Sequence, residues 1–99
     1  MQIPVQSVAE LGLVLRAARK SAKVRLDDLA EITGVSKQFV SDVEYGKQTV
    51  QFGLVLRLLS EMGLKLVVDI PSTAESEVRA LQAKGGVRVK RLTNALSNA

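Results

Sequence analysis

Apolar side chains recur at helical spacing over the first 63 residues of the chain. A first helix is predicted from Ser7 to about Ser21, because Ser7 and Glu10 have the spacing of a capping box. A second, short helix is predicted over residues 26–33. Gly34 follows it and suits the left-handed position at which a helix ends and the chain reverses.

Two further helices are predicted before residue 64. Ser36 is a favourable N-cap for a third helix over residues 37–45. A fourth helix starts at Thr49 or Gln51 and reaches Met62. It is the most apolar of the four, so we expect it to be buried on two sides, against the other helices and against a further surface.

The apolar period changes to two over residues 64–70, and Pro71 ends the run. This alternation predicts a β-strand. A lone strand has unpaired edges, and the simplest partner is the same strand of a second chain, which gives a symmetric dimer. Folding back as an internal edge is the alternative, with residues 87–89 as a weak candidate partner. The side chains expected at the dimer interface are Leu64, Leu66, Val68 and Ile70.

Residues 72–99 form a basic tail that is predicted to be partly helical or disordered. Ser72 and Glu75 have the spacing of another capping box, and Gly85-Gly86 breaks the helical pattern. The tail is either a solvated end or a segment that a partner orders. The expected organisation is an all-α bundle over residues 1–63, a dimerising strand over 64–71 and this tail.

Composition removes several classes of function. The chain has no cysteine and no histidine, and so it lacks the commonest zinc ligands and the commonest general base. It also has no glycine-rich phosphate-binding fingerprint. We therefore expect neither an enzyme nor a metal or cofactor site. No apolar run approaches the roughly 20 residues that span a bilayer, and the first residues do not form a signal peptide pattern.

Positive charge is concentrated locally, although the net charge is only +4. Residues 1–71 hold nine Lys/Arg and eight Asp/Glu, whereas residues 72–99 hold five and two. Within the first part, residues 16–25 contain five basic side chains and no acid: Arg16, Arg19, Lys20, Lys23 and Arg25. Such a cluster is either a track for phosphate groups or a solubility feature.

Residues 26–48 read as helix, glycine turn and helix, which is the helix-turn-helix pattern. The outer face of the second helix carries Ser36, Lys37, Gln38, Ser41 and Asp42. Its amide, ammonium and hydroxyl groups are able to read base edges or to meet phosphate. The alternative is an inert solvated face. Phe39 is either a contact to a thymine methyl or sugar, or a filler between helices, and Glu44 is expected to be structural.

The stretch LAEITGVSKQFVSDVEYGK resembles the central motif of the lambda-repressor-like, or Xre-type, DNA-binding domain. The resemblance covers residues 7–63 and implies that Lys37, Gln38 and Ser41 read bases. It also implies that Ser36 and Lys47 contact phosphate. The basic cluster adds Arg19, Lys23 and Arg25 to the predicted phosphate contacts. One departure is that Arg25 and Leu26 stand where the family usually has Thr or Ser followed by Gln, so the usual amide clamp on the backbone is missing.

The strand directly after the bundle makes the chain similar to HipB-type antitoxins, including the Y4mF-like group. This resemblance implies a homodimer that binds a palindromic operator in double-stranded DNA, represses its own operon and holds a HipA-type serine/threonine kinase toxin. It also implies a cytoplasmic, nucleoid-associated protein with no membrane partner. The alternatives are a stand-alone Xre-type repressor with no toxin, and a protein-interaction module that has lost DNA binding.

Overall fold

The computed structural model describes residues 1–85, which are helical wherever they adopt regular structure. The helices are α1 (Val8–Ser21), α2 (Leu26–Thr33), α3 (Lys37–Glu44), α4 (Phe52–Glu61), a short 3-10 helix (Ser72–Ala74) and α5 (Glu75–Ala83). The predicted all-α bundle is confirmed for this part of the chain. The first four predicted helices are all present, with ends shifted by three residues at most.

Local sequence signals set the ends of α1 and α2. The Ser7 side chain accepts a hydrogen bond from the Glu10 N–H at 3.1 Å, as a helix N-cap does. The Glu10 carboxylate bonds the N–H of Gln6 rather than that of Ser7, one residue earlier than in a standard capping box. Gly34 ends α2 with φ of 81°, and its N–H reaches the Ala30 carbonyl at 2.9 Å. Both predicted boundaries are therefore correct.

All four helices of the bundle contribute to one apolar core. Its side chains come from α1 through Leu15, from α2 through Leu29, from α3 through Val40 and from α4 through Leu58, each almost completely buried. Half-buried apolar side chains pack around this centre. Because the core draws on every helix, it fixes the position of α3 in the bundle.

Gly12 allows α1 and α3 to approach each other closely. A Cβ atom at this position would lie 2.1 Å from the carbonyl oxygen of Val43, far inside contact distance. A glycine within a helix normally costs stability, so its presence here has a packing reason. The backbone of α3 lies directly against α1 as a result.

Only one side of α4 is buried within residues 1–67. Val55, Leu58 and Leu59 face the core, whereas Phe52 and Leu56 are exposed. The prediction that α4 is covered on two sides thus holds for one side within this part of the chain. The exposed Phe52 and Leu56 lie one turn apart on the same helix face.

Residues 64–70 have the alternating apolar pattern of a strand, but they form no strand among the described residues. The Leu64 N–H bonds the Leu59 carbonyl at 2.9 Å, and the Leu64 side chain packs against the core. Leu64 is thus half-buried against the bundle, whereas the other three predicted interface residues, Leu66, Val68 and Ile70, are exposed. The backbone of residues 65–70 makes no hydrogen bond with another residue in the range 1–85.

The chain divides into two units, Met1–Val67 and the residues from Val68 onward. In the second unit, the 3-10 helix leads into α5, and no side chain of either helix is buried. The predicted capping box at Ser72 does not form, because α5 begins after Ala74 without a side-chain cap. An ion pair of 3.0 Å joins Arg79 to Glu75 one turn earlier. The predictions for the basic residues and weak strand of 86–99 lie outside the described residues.

Candidate nucleic-acid interface

The inner and outer faces of α3 differ sharply in burial. Ser36 caps the helix by accepting a hydrogen bond from the Phe39 N–H at 3.0 Å. Val40 and Val43 lie in the core, while Lys37 and Gln38 are exposed at the N-terminal end of the helix. A short helix thus presents polar side chains to the outside from a fixed apolar base. Such a helix end favours anions, because its N–H groups and dipole are positive there.

Glu44, at the inner C-terminal end of α3, forms a buried ion pair with Arg19 of α1. The guanidinium donates to both carboxylate oxygens, with Nε at 2.6 Å and Nη2 at 3.0 Å. Its Nη1 donates to the Val24 carbonyl at 3.0 Å, just after α1. The hydrogen bonds to Glu44 raise the pKa of Arg19, so the guanidinium stays charged. This bidentate pair ties α3 to α1, and Glu44 is structural, as expected from the sequence.

The placement of Arg19 does not agree with its predicted role at phosphate. The residue is 9% exposed, and its guanidinium is held by Glu44 and by the backbone. Reaching a phosphate would leave the Glu44 carboxylate buried without its partner, which is costly. Arg19 therefore belongs to the scaffold that holds α3, and a phosphate contact does not fit its placement.

Three other basic residues of this cluster, Lys20, Lys23 and Arg25, are exposed. Lys23 is exposed in the turn after α1, with a left-handed φ of 60°. Arg25 precedes α2 without a side-chain cap, and its guanidinium lies 3.4 Å from the Asp27 carboxylate. The Lys37 ammonium of α3 lies 3.7 Å from the same carboxylate. Asp27 therefore connects the start of α2 with the start of α3 through exposed charges.

A second carboxylate, Asp42, holds two of the predicted DNA-contacting side chains. Its Oδ1 accepts a hydrogen bond from Gln38 Nε2 at 2.8 Å, and its Oδ2 lies 3.5 Å from the Lys47 ammonium. Ser41 lies half-buried beside it on α3. The structure thus brings Lys37, Gln38 and Ser41 onto one short helix, with Lys47 joined to it by a charge contact.

Two further contacts join helices through arginines whose partners the sequence does not indicate. Arg57 of α4 donates to the Thr33 carbonyl at 2.6 Å and so ties α4 to the end of α2. The Arg16 guanidinium lies over the Tyr45 ring at 4.5 Å, which links α1 to the end of α3. Phe39 is half-buried against the core, which favours the interpretation that it fills a seam between helices.

The chemistry available at this surface is that of recognition. In residues 1–85 no group of His, Cys, Asp and Glu side chains is arranged to hold a metal ion. Within the same range, no helix is long and apolar enough to cross a membrane. Lysine ammonium groups, a glutamine amide and serine hydroxyls at a helix N-terminus are donors suited to phosphate oxygens and to base edges in the major groove.

The chain matches a family described as "Helix-turn-helix domain" over residues 10–66. It is 36% identical over 67 residues to the "Uncharacterized HTH-type transcriptional regulator y4mF" of Sinorhizobium fredii, an alignment that covers 68% of this chain and 88% of that protein. The predicted likeness to the Y4mF-like group is thereby confirmed.

Among solved structures, the fold is similar to a chain of the HipA-HipB-O2-O3 complex, with a TM-score of 0.66 and 14% identity over 72% of this chain and all of the other. It is also similar to a chain of a HipB-O4 20mer complex, with a TM-score of 0.65, 14% identity and the same coverage. These likenesses show a shared fold. The family match and the curated relative show that the chain belongs to the helix-turn-helix family of DNA-binding regulators, of the Xre-like form, which are not enzymes.

Proposed function

We propose that this regulator is a dimeric, sequence-specific repressor that reads its operator with α3 and serves as the antitoxin of a type II toxin–antitoxin pair. The observation that carries the DNA-reading part is the two-faced character of α3. Its inner face is fixed by core packing and by the Arg19–Glu44 pair, while its N-terminal outer face exposes Lys37 and Gln38. A helix held this way can enter a major groove without being remodelled.

In this proposal each predicted base reader on the outer face of α3 has its own role. Lys37 donates to guanine, Gln38 pairs with adenine through its amide, and Ser41 serves a base edge next to them. Phosphate contacts come from the exposed Lys23, Arg25 and Lys47 and from Ser36. The Ser36 oxygen already accepts a bond from Phe39, but its O–H hydrogen remains available to a phosphate oxygen.

The proposed dimer is supported by residues 64–70. Leu66, Val68 and Ile70 are exposed apolar side chains at alternate positions, on a backbone that bonds no other described residue. Pairing of this segment with its copy would cover the apolar face and satisfy the backbone groups. A twofold axis would place two α3 helices on successive turns of a palindromic operator, about 10 bp apart.

The antitoxin part rests on the fold that this chain shares with chains of the HipA-HipB-O2-O3 complex and of the HipB-O4 20mer complex. In this proposal the dimer holds a HipA-type serine/threonine kinase and represses the operon that encodes both proteins. The complex would act in the cytoplasm, on the nucleoid.

The DNA claim is tested by selection from a pool of randomised duplexes. The purified full chain is expected to enrich one palindromic sequence, and Lys37→Ala is expected to relax one base pair in each half-site. Asp28→Ala, which changes an exposed residue of α2, serves as a control and should enrich the same sequence. Enrichment of no sequence, or binding that does not weaken with salt, would contradict DNA reading.

The dimer claim is tested with two aspartates placed on neighbouring residues. Val68→Asp puts a charge on the apolar face and is expected to give monomers in light scattering, whereas Val67→Asp puts the same charge on the opposite face and should leave the dimer. A persistent Val68→Asp dimer would move the interface to the exposed side of α4, where Phe52 and Leu56 lie.

The antitoxin claim is tested by purifying the tagged chain at its natural level from its own host. A kinase-like protein recovered in a fixed ratio is the expected result, identified by mass spectrometry. Intact operator binding with no such partner would leave a stand-alone repressor.

A further inference from the structure

Asp42 lies on the outer surface of α3 and pairs with two neighbouring side chains. Its Oδ1 accepts from Gln38 Nε2 at 2.8 Å, one helical turn earlier. Its Oδ2 lies 3.5 Å from Lys47 Nζ, and its backbone carbonyl accepts from the Lys47 N–H at 2.9 Å. Both oxygens of the carboxylate are therefore used by residues that the proposed function places at DNA.

The bond to Gln38 determines which end of its amide is free. A carboxylate accepts hydrogen bonds and has none to give, so the amide NH2 must be the group that meets Asp42. One N–H and the amide oxygen of Gln38 remain available. A bidentate contact with adenine uses one donor and one acceptor of this kind, for N7 and for the N6 amino group. A Gln38 side chain held by Asp42 presents that pair in one order, whereas a free glutamine can rotate and present either.

The negative charge of Asp42 opposes DNA binding at this surface. A carboxylate beside a surface that binds phosphate repels DNA and competes for Lys47. A surface built for affinity alone would gain by losing it. Its presence beside Gln38 is explained if it improves the discrimination between base pairs at some cost in overall affinity.

We propose that Asp42 is a positioning residue that sets base specificity through Gln38, an inference that rests on the proposed function. It touches no base itself. It orders the Gln38 amide before DNA arrives, so that the ordering cost is not met at the moment of binding. It also keeps Lys47 close to the C-terminal end of α3, where this side chain can exchange its carboxylate partner for a phosphate.

The experiment measures the binding of the full chain to the duplex selected from the random pool and to its single-base-pair variants. At the base pair that Gln38→Ala relaxes, Asp42→Ala is expected to lose roughly threefold to tenfold in discrimination, the cost of ordering one flexible side chain. At the same time its affinity for unrelated duplexes should rise. Asp42→Asn should keep the discrimination, because its amide oxygen still accepts from Gln38 while the charge is lost.

Asp27→Ala is the matched control for charge. Asp27 pairs with Arg25 at 3.4 Å and with Lys37 at 3.7 Å but is not bonded to Gln38. This variant should raise affinity for all duplexes and leave the Gln38 base pair unchanged. Thermal unfolding followed by circular dichroism verifies that each variant is folded, and Asp42→Ser, whose shorter side chain leaves Gln38 unbonded, replaces the Ala variant if that one is not.

The outcomes separate this inference from the proposed function. Equal discrimination by the natural chain and by Asp42→Ala, at a base pair that Gln38→Ala relaxes, would overturn the role of Asp42 and leave DNA reading intact. The same specificity change in Asp42→Ala and Asp27→Ala would also overturn it, since charge alone would then explain both. A natural chain that prefers no sequence would overturn the proposed function and this inference together.

Discussion

Two kinds of ion pair involve residues of α3, and they differ in burial and in the parts of the chain that they join. The Arg19–Glu44 pair lies inside, with 11% and 0% of the two side chains exposed, and joins α3 to α1. The pairs of Asp27 with Lys37 and of Asp42 with Lys47 lie outside, where at least one partner is largely exposed. The same charge chemistry therefore holds the helix in place on one side and stays exchangeable on the other.

The energies on the two sides differ accordingly. Removing one partner of a buried pair leaves an uncompensated charge and typically costs about 3–5 kcal/mol, whereas an exposed pair contributes about 0–1 kcal/mol. Exposed partners can thus exchange a carboxylate for a phosphate at little cost. The buried pair cannot, and this separates the scaffold from the surface that it presents.

The largest effect is expected from Glu44→Ala. Because an arginine guanidinium stays protonated in proteins, Arg19 remains charged when its partner is lost, and the free energy of unfolding should fall by about 3–5 kcal/mol. Urea unfolding followed by circular dichroism measures this change.

Glu31→Ala is the control for Glu44→Ala, because Glu31 is exposed on α2, and it should change stability by less than about 0.5 kcal/mol. Equal stability of the two variants would show that the buried pair does not hold α3. Replacing both Arg19 and Glu44 with apolar residues is expected to restore much of the loss, since the desolvation cost disappears with the charges.

Gly12→Ala comes next, because it acts on the same α1–α3 contact through shape alone. The new Cβ would collide with the Val43 carbonyl, so the helices must separate, at a cost of about 1–3 kcal/mol. The midpoint of thermal unfolding measures this loss. Operator affinity should fall as well, since α3 shifts with the helix pair.

Gly53→Ala is the matched control, since Gly53 lies within α4 and its Cβ would meet nothing within 4 Å. It should stabilise the chain by about 0.5–1 kcal/mol through helix propensity. A Gly12→Ala variant as stable as the natural chain would mean that the α1–α3 approach is looser than described.

Gln38→Ala tests the outer face and should leave the free energy of unfolding almost unchanged, because Gln38 is exposed. Its effect is expected in binding, as a loss of about 1–3 kcal/mol in discrimination at one base pair of the operator. Anisotropy titrations with duplexes substituted at each position measure it. Gln82→Ala on α5 is the control. A uniform loss over all duplexes would assign Gln38 to phosphate instead of to a base.

The sequence was sufficient to predict the helices, because their ends depend on local signals. Ser7, Gly34 and Ser36 act through neighbours three or four residues away, and these contacts are found as expected. The outer face of α3 was predictable for the same reason, since helical periodicity decides which residues share it.

What the sequence could not show depends on contacts between distant residues. Arg19 lies in a run of basic residues and reads as a surface charge until Glu44, 25 positions later, is found beside it. A glycine in the middle of a helix is a sign of close packing, but only the structure shows that the neighbour of Gly12 is the Val43 carbonyl of α3. The pairing of residues 64–70 requires the same segment of a second chain, so it stays a prediction.

The smallest effect on stability, and the clearest contrast with Arg19, is expected from Lys47→Ala. Both residues are basic and both were predicted at phosphate, but Lys47 is exposed and its pair with Asp42 at 3.5 Å contributes little. Unfolding should therefore be unchanged, while affinity falls alike for all duplexes and the slope of log K against log salt flattens by about one unit. Lys84→Ala, beyond α5, is the control. If Lys47→Ala lowered stability and left the salt slope unchanged, Lys47 would belong with Arg19, and the division between a buried scaffold and an exchangeable surface would fail at this residue.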